Sequence, residues 1–123
     1  MKNPEDGFLK GRVKSLKYAV RGAWLLITTE HSIMVQFSIG ILVSVLGFFM
    51  HISPFEWMIQ LLAIGMVLVA ESLNTGIEKL CDFIHPDYHK RIGFIKDISA
   101  GAATFAAVIA IIIGLIIYLP KFV

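Results

Sequence analysis

The sequence predicts an all-α integral membrane protein, with three transmembrane helices behind an N-terminal amphipathic surface helix. Three observations carry this. Hydrophobic residues fill 57% of the 123 positions and charged ones only 16%, against about 25% charged in ordinary soluble proteins. A soluble domain this small has a high surface-to-volume ratio and needs polar residues to cover it; with a mean hydropathy of +0.78 this chain lacks them. Finally, His31 to Phe55, Trp57 to Ala70 and Ile98 to Pro120 contain no Asp, Glu, Lys or Arg. The same composition excludes a disordered chain. Cys81, the single cysteine, excludes a disulfide scaffold, and a net charge of +2 is too small to suggest nucleic-acid binding. One domain is expected over residues 1–123.

The elements follow in order. In segment 1–29, Phe8, Leu9, Val13, Leu16, Val20 and Trp24 recur at helical spacing with basic residues between them. That is the pattern of an interfacial helix lying in the headgroup plane. The first 21 residues are polar and basic and no short apolar segment precedes them, so no cleaved signal peptide is expected. Crossing a hydrocarbon core about 30 Å thick takes about 20 apolar residues. On that measure the spans are expected at 31–50, 56–83 and 97–119. The middle apolar run is short, and its helix is completed through Cys81 with charged residues at its far end. Ile98–Leu119 is apolar on every face, which argues against a bundle buried in a soluble complex. Ser99, Ala103 and Ala107, four residues apart, read as a small-residue packing face.

Orientation follows from the basic residues. Lys2, Lys10, Arg12, Lys14, Lys17 and Arg21 precede the first span, and Lys79, Lys90, Arg91 and Lys96 cluster in segment 79–96, from the end of the second span to the start of the third. The 51–56 turn has none and the C-terminal tail only Lys121. The positive-inside rule therefore puts the N-terminus and the 84–96 loop in the cytoplasm, and the 51–56 turn and the C-terminus outside.

The second span ends in the segment that carries chemistry. At 100° per residue, with Glu71 at zero, Asn74 falls at about 300°, Glu78 at about 340° and Asp82 at about 20°. Three carboxylates and one amide thus share one helix face, with Leu73, Ile77 and Leu80 opposite. Trp57 to Glu71 spans about 21 Å at 1.5 Å per residue, so Glu71 lies inside the cytoplasmic boundary of the core and Glu78 near it. A carboxylate at that depth is costly unless paired, protonated or hydrated, and points to function. Asp82 fits equally a helix-end carboxylate paired with Lys79 or Lys96. Glu30 and Lys96-Asp97 reach the same layer at the entries of the first and third spans. The set is oxygen-rich and has no Cys/His spacing, which favours Mg²⁺ over zinc. Carboxylates, Mg²⁺ and a lysine suit a nucleoside triphosphate, with a lipid headgroup hydroxyl as acceptor and one carboxylate taking its proton. Neither a Walker A motif nor a kinase Gly-rich loop occurs.

Glu71-Ser-Leu-Asn74-Thr75-Gly76-Ile77-Glu78, then Asp82 and Lys96-Asp97, resembles the signature of the small prokaryotic diacylglycerol kinase and undecaprenol kinase family. Tyr18, Gly22, Glu30 and Tyr88-His89 extend the resemblance over most of the chain. It departs at Gly76, where alanine is usual, and at Gly11, where a basic residue is expected, with Arg12 beside it. The resemblance implies a homotrimeric membrane kinase with active sites between protomers, in the bacterial cytoplasmic (inner) membrane. It implies Glu71 as general base, Glu30 and Glu78 as Mg²⁺ ligands, and Asn74 and Asp82 as supporting active-site residues. It implies Tyr18, Asp87, His89, Lys96 and Asp97 as the ATP-binding set. Read from the residues alone, His89 fits a solvated loop position and Tyr18 an interfacial anchor. The expected activity is ATP- and Mg²⁺-dependent phosphorylation of undecaprenol or diacylglycerol, and His85-Pro86-Asp87-Tyr88-His89 lies nearer the undecaprenol kinase branch. The alternative is a small transporter or channel subunit with a carboxylate ion path. That would place polar residues along a whole helix, whereas here the outer half of the second span offers only Gln60.

Overall fold

Four helices run in chain order: α1 Phe8–Thr29, α2 His31–Phe49, α3 Pro54–Ile84 and α4 Lys90–Phe122. They belong to a computed structural model that describes residues 3–123; Lys2, counted with the basic residues above, lies outside the described residues. No strand occurs among the described residues. The three helices α2, α3 and α4 are each long and apolar enough to cross a membrane. The last two run past the expected spans. A charge-free run marks the apolar middle of a helix, whereas its ends are set by caps that sit among polar residues. Thus α3 starts at Pro54, where Ser53 and Glu56 form a reciprocal capping box and Pro54 takes the first turn. At α4 the His89 ring accepts the Arg91 backbone N–H (3.1 Å) and starts the helix about two turns before position 97. The start of α1 is held by Asp6, whose carboxylate lies 2.7 Å from Lys14 Nζ; the Lys14 hydrogen bond holds that carboxyl below its ordinary range.

The α2–α3 turn is a Schellman motif. The Ile52 N–H donates to the Gly47 carbonyl (3.2 Å) and the His51 N–H to Phe48 (3.4 Å). His51 takes the left-handed conformation, φ 53°, which usually falls to glycine. Gly47 is needed for another reason: a Cβ there would stand 2.8 Å from the Tyr118 hydroxyl and 2.9 Å from Ile52 Cδ1. The turn end of the bundle is therefore tightly closed, with Ile52, Ile117 and Tyr118 as its buried cluster. Lys121 of α4 also reaches Glu56 of α3 at 3.3 Å.

The most extensive packing is between α3 and α4; α2 packs against α3, and α1 against α2. The buried residues of α3 include Gln60, Ala63, Val67 and Thr75. On the helical wheel these lie between about 280° and about 40°, the sector that holds Glu71, Asn74 and Glu78. One face of α3 therefore serves twice, as packing surface near the turn and as the polar stripe at the other end. Leu42, Leu62 and Phe105, 67%, 67% and 76% exposed, point away from the bundle. Water would penalise such a surface and hydrocarbon does not, so the protein is integral to the membrane.

At the turn end of the bundle, the Tyr118 hydroxyl hydrogen-bonds Gln60 Oε1 and lies 3.2 Å from the Val43 carbonyl oxygen, joining all three membrane helices. Tyr118→Phe strips Gln60, 3% exposed, of this partner. We expect a loss of about 1–2 kcal/mol, since a buried amide loses its hydrogen bond with no water to replace it. Unfolding in mixed micelles of rising SDS fraction measures this, and an unchanged midpoint would refute it.

Candidate active site

The polar end of the bundle is built around a break in the chain. Glu30 has extended backbone, φ −104° and ψ 114°, so that α1 ends and α2 begins on this one residue. Its backbone remains satisfied: its N–H donates to the Leu26 carbonyl (3.2 Å) and its carbonyl accepts from the Met34 N–H (3.0 Å). The side chain makes no cap bond. Its carboxylate instead meets Lys79 of α3, Nζ to Oε1 3.0 Å. Lys79 directly follows Glu78, so this pair marks where the α3 turn that carries Glu78 lies alongside the start of α2.

Along α3, exposure rises toward the helix end. Glu71 and Asn74 are half-buried, Glu78 and Asp82 exposed, and Thr75 beside them is buried. The Asn74 amide nitrogen donates to Glu78 Oε1 over a long 3.4 Å, while Asn74 Oδ1 is buried without a partner. From α4, Lys96 Nζ pairs with Asp82 Oδ1 at 2.5 Å and also interacts electrostatically with Glu78. Two carboxylates one turn apart on a helix repel by a few tenths of a kcal/mol, roughly 0.2–0.5, and the Lys96 ammonium offsets this. Exposed pairs of this kind are worth about 0–1 kcal/mol each. They do not hold the helices together; they set where the side chains stand.

Direct contacts thus pair Asn74 with Glu78 and Asp82 with Lys96, Glu30 is tied to α3 through Lys79, and Glu71 stands one turn before Asn74. The pairing of Asp82 with Lys96 is one the spacing had left open. Asp87, His89 and Asp97 lie on the connector and first turns of α4. His89 is the helix cap described above, its ring edge-on to His85 with centroids 5.1 Å apart; His85 Nδ1 in turn lies 2.8 Å from the Asp87 carbonyl oxygen. Tyr18 sits on α1, about three turns before Glu30, and is 38% exposed. At the Gly76 departure a Cβ would meet nothing within 4 Å, so packing does not demand glycine there. Gly11 is buried, and the neighbouring Arg12 guanidinium lies 5.4 Å from the Phe8 ring centroid. Lys79 escaped the sequence analysis as a partner of Glu30. It stands about 80° off the stripe, and only packing of α2 on α3 brings the two together.

Among the described residues no three Asp, Glu, His or Cys side chains converge as a cage for a metal. Mg²⁺ does not need one: it is held by one or two carboxylates plus substrate phosphates and waters. Glu30 and Glu78, hard oxygen donors from two helices drawn into one layer, fit that mode. The Lys79 ammonium already stands where a cation would face Glu30.

Comparison with known proteins identifies the family. The prokaryotic diacylglycerol kinase family matches residues 17–118. An undecaprenol kinase of Bacillus subtilis (strain 168) is 41% identical over 108 residues, 88% of each chain. A diacylglycerol kinase of Escherichia coli (strain K12) is 25% identical over 116 residues, 91% of each chain. One from Synechocystis is 28% identical over 107 residues, 86% of this chain and 61% of that one. These relatives are alcohol-acceptor phosphotransferases, which displaces the transporter alternative. With its membrane helices, the charged layer at one end of them and a match across most of its length, the chain belongs to the prokaryotic diacylglycerol kinase family.

Proposed function

We propose that this lipid kinase transfers the γ-phosphate of ATP to the hydroxyl of a membrane lipid alcohol, undecaprenol or diacylglycerol, at the cytoplasmic face of the bacterial inner membrane. The observation that supports the reading is the pair of bridges Glu30–Lys79 and Asp82–Lys96, which bring side chains from the α1–α2 junction and from α4 to the end of the α3 stripe that begins at half-buried Glu71. In this reading Glu71 accepts the proton of the acceptor hydroxyl as its oxygen bonds to the γ-phosphorus. The bond from that phosphorus to the β,γ-bridging oxygen breaks, and ADP leaves. Lys96 supplies positive charge to the transferring group, with Asp82 holding it in place. Asn74 holds Glu78 through its amide. Tyr18, Asp87, His89 and Asp97 line the approach of the nucleotide. Glu30 and Glu78 would hold Mg²⁺, which would supply the positive charge that offsets the phosphates. The working form is a homotrimer.

The test is phosphate transfer from labelled ATP to a panel of lipid alcohols by purified protein in micelles; transfer to none would refute the reading. The placement has its own test. Cys81 is buried, 5% exposed, so single cysteines can be read against it. We expect Ser53→Cys to label from outside the cell and Lys90→Cys only from within. The opposite pattern would put the polar layer on the side without ATP.

A further inference from the structure

The connector from α3 to α4, residues 85–89, carries two side chains of the proposed nucleotide set, Asp87 and His89. Before them stands His85, which is not in that set. Pro86, Asp87, Tyr88, His89 and Lys90 are all exposed, whereas His85 is half-buried. Its backbone closes α3. The His85 N–H donates to the Cys81 carbonyl (2.9 Å), and its φ of −149° lies outside the helical region that a following proline disfavours. Any residue could do this much, because only the main chain is used. The imidazole has other work.

His85 Nδ1 lies 2.8 Å from the Asp87 carbonyl oxygen. A carbonyl only accepts, so Nδ1 bears the hydrogen and donates it. The same ring stands edge-on to the His89 ring, with centroids 5.1 Å apart and planes at 65°. His89 Nδ1 accepts the Arg91 backbone N–H (3.1 Å). In the neutral His89 ring the hydrogen therefore lies on Nε2, and this is the donor left for a ligand. An N–H suits a group that only accepts, such as a polyphosphate oxygen. One side chain thus holds the backbone of Asp87 and the flank of the His89 ring. Residues of an exposed connector keep conformational freedom that a ligand must remove on binding. Pro86 restricts one φ, and the His85 ring restrains the residues beyond it.

We propose that His85 is a positioning residue of the nucleotide subsite, its ring bracing the connector so that Asp87 and His89 are set for the polyphosphate before it arrives. This rests on the reading of Asp87 and His89 as nucleotide contacts. The experiment compares the wild-type protein, His85→Ala, His85→Asn, His89→Ala and the double variant His85→Ala/His89→Ala. It measures kcat, KM for ATP and for the lipid alcohol, and direct binding of Mg·ATP by calorimetry. Amide hydrogen exchange follows residues 87–91. His85→Ala should raise KM and Kd for Mg·ATP by about tenfold, through lost preorganisation, and speed exchange in the connector. Its kcat and lipid KM should stay within about twofold, because the substitution touches neither the stripe nor the acceptor. Asn can donate to the backbone two residues on, so His85→Asn should recover at least about threefold of that loss. With His89 already replaced, removing His85 should cost well under tenfold, the coupling expected of residues that act through one another. Unchanged Mg·ATP affinity in His85→Ala, a fall in kcat alone, or no recovery in His85→Asn would overturn the proposal. A full tenfold loss in the His89→Ala background would overturn it in favour of a direct contact with the nucleotide. If His85→Ala does not assemble, His85→Asn against the wild-type protein decides, and a loss of affinity as large as that of His89→Ala overturns the proposal. A wild-type protein that binds Mg·ATP but phosphorylates no lipid alcohol would refute the kinase reading, and the binding series would still decide the role of His85. A wild-type protein that does not bind Mg·ATP would overturn both.

Discussion

Glu71→Gln should lower kcat by at least about 10²-fold, because a positioned acid–base group contributes about 10²–10⁴-fold. The substitution keeps the shape of the side chain and removes only its ability to take a proton. Position decides which step is lost. Glu71 is the carboxylate of the stripe furthest from the helix end, half-buried where Glu78 and Asp82 are exposed, and it is one turn from Asn74. No ion pair or hydrogen bond fixes it to the Glu30–Lys79 or Asp82–Lys96 bridges among the described residues. In the proposed reading it faces the acceptor hydroxyl rather than the polyphosphate, so affinity for Mg·ATP should change little. Measuring both in one variant settles the role. Near-normal turnover would remove Glu71 from the chemistry. Lost nucleotide affinity with modestly reduced kcat would move it into the metal shell.

The complementary result is expected at Glu78. Glu78→Gln should abolish activity and weaken Mg²⁺-dependent ATP binding while the protein still assembles. The side chain is exposed, and exposed substitutions usually change stability by less than about 0.5 kcal/mol. Glutamine can still accept the Asn74 hydrogen bond through its amide oxygen, so the local geometry is kept. What it removes is the negative charge that a hard cation requires. Direct binding of Mg·ATP, measured by calorimetry, separates this from a defect in phosphoryl transfer. Affinity equal to that of the wild-type protein would show that Glu78 is not a ligand. Together the two variants should split the stripe, with Glu71 acting on turnover and Glu78 on metal and nucleotide.

Hydropathy along the chain was enough to determine that this protein is a three-span membrane protein, because transfer into hydrocarbon sums over consecutive residues and needs no knowledge of neighbours. Helical periodicity placed Glu71, Asn74, Glu78 and Asp82 on one face for the same reason: positions three and four apart are neighbours on any helix. The motif around them was enough to indicate the family. Packing alone decided the rest. That the polar stripe continues the buried face of α3 depends on which side α2 and α4 cover. That Glu30 ends up against Lys79, and Lys96 against Asp82, depends on how helices far apart in sequence settle beside each other. The orphaned oxygens of Asn74 and Ser99 could not be read from spacing at all. A serine in a row with Ala103 and Ala107 looks like a small packing residue. Only the fold shows that it is buried beside an apolar groove with its hydroxyl unpaired.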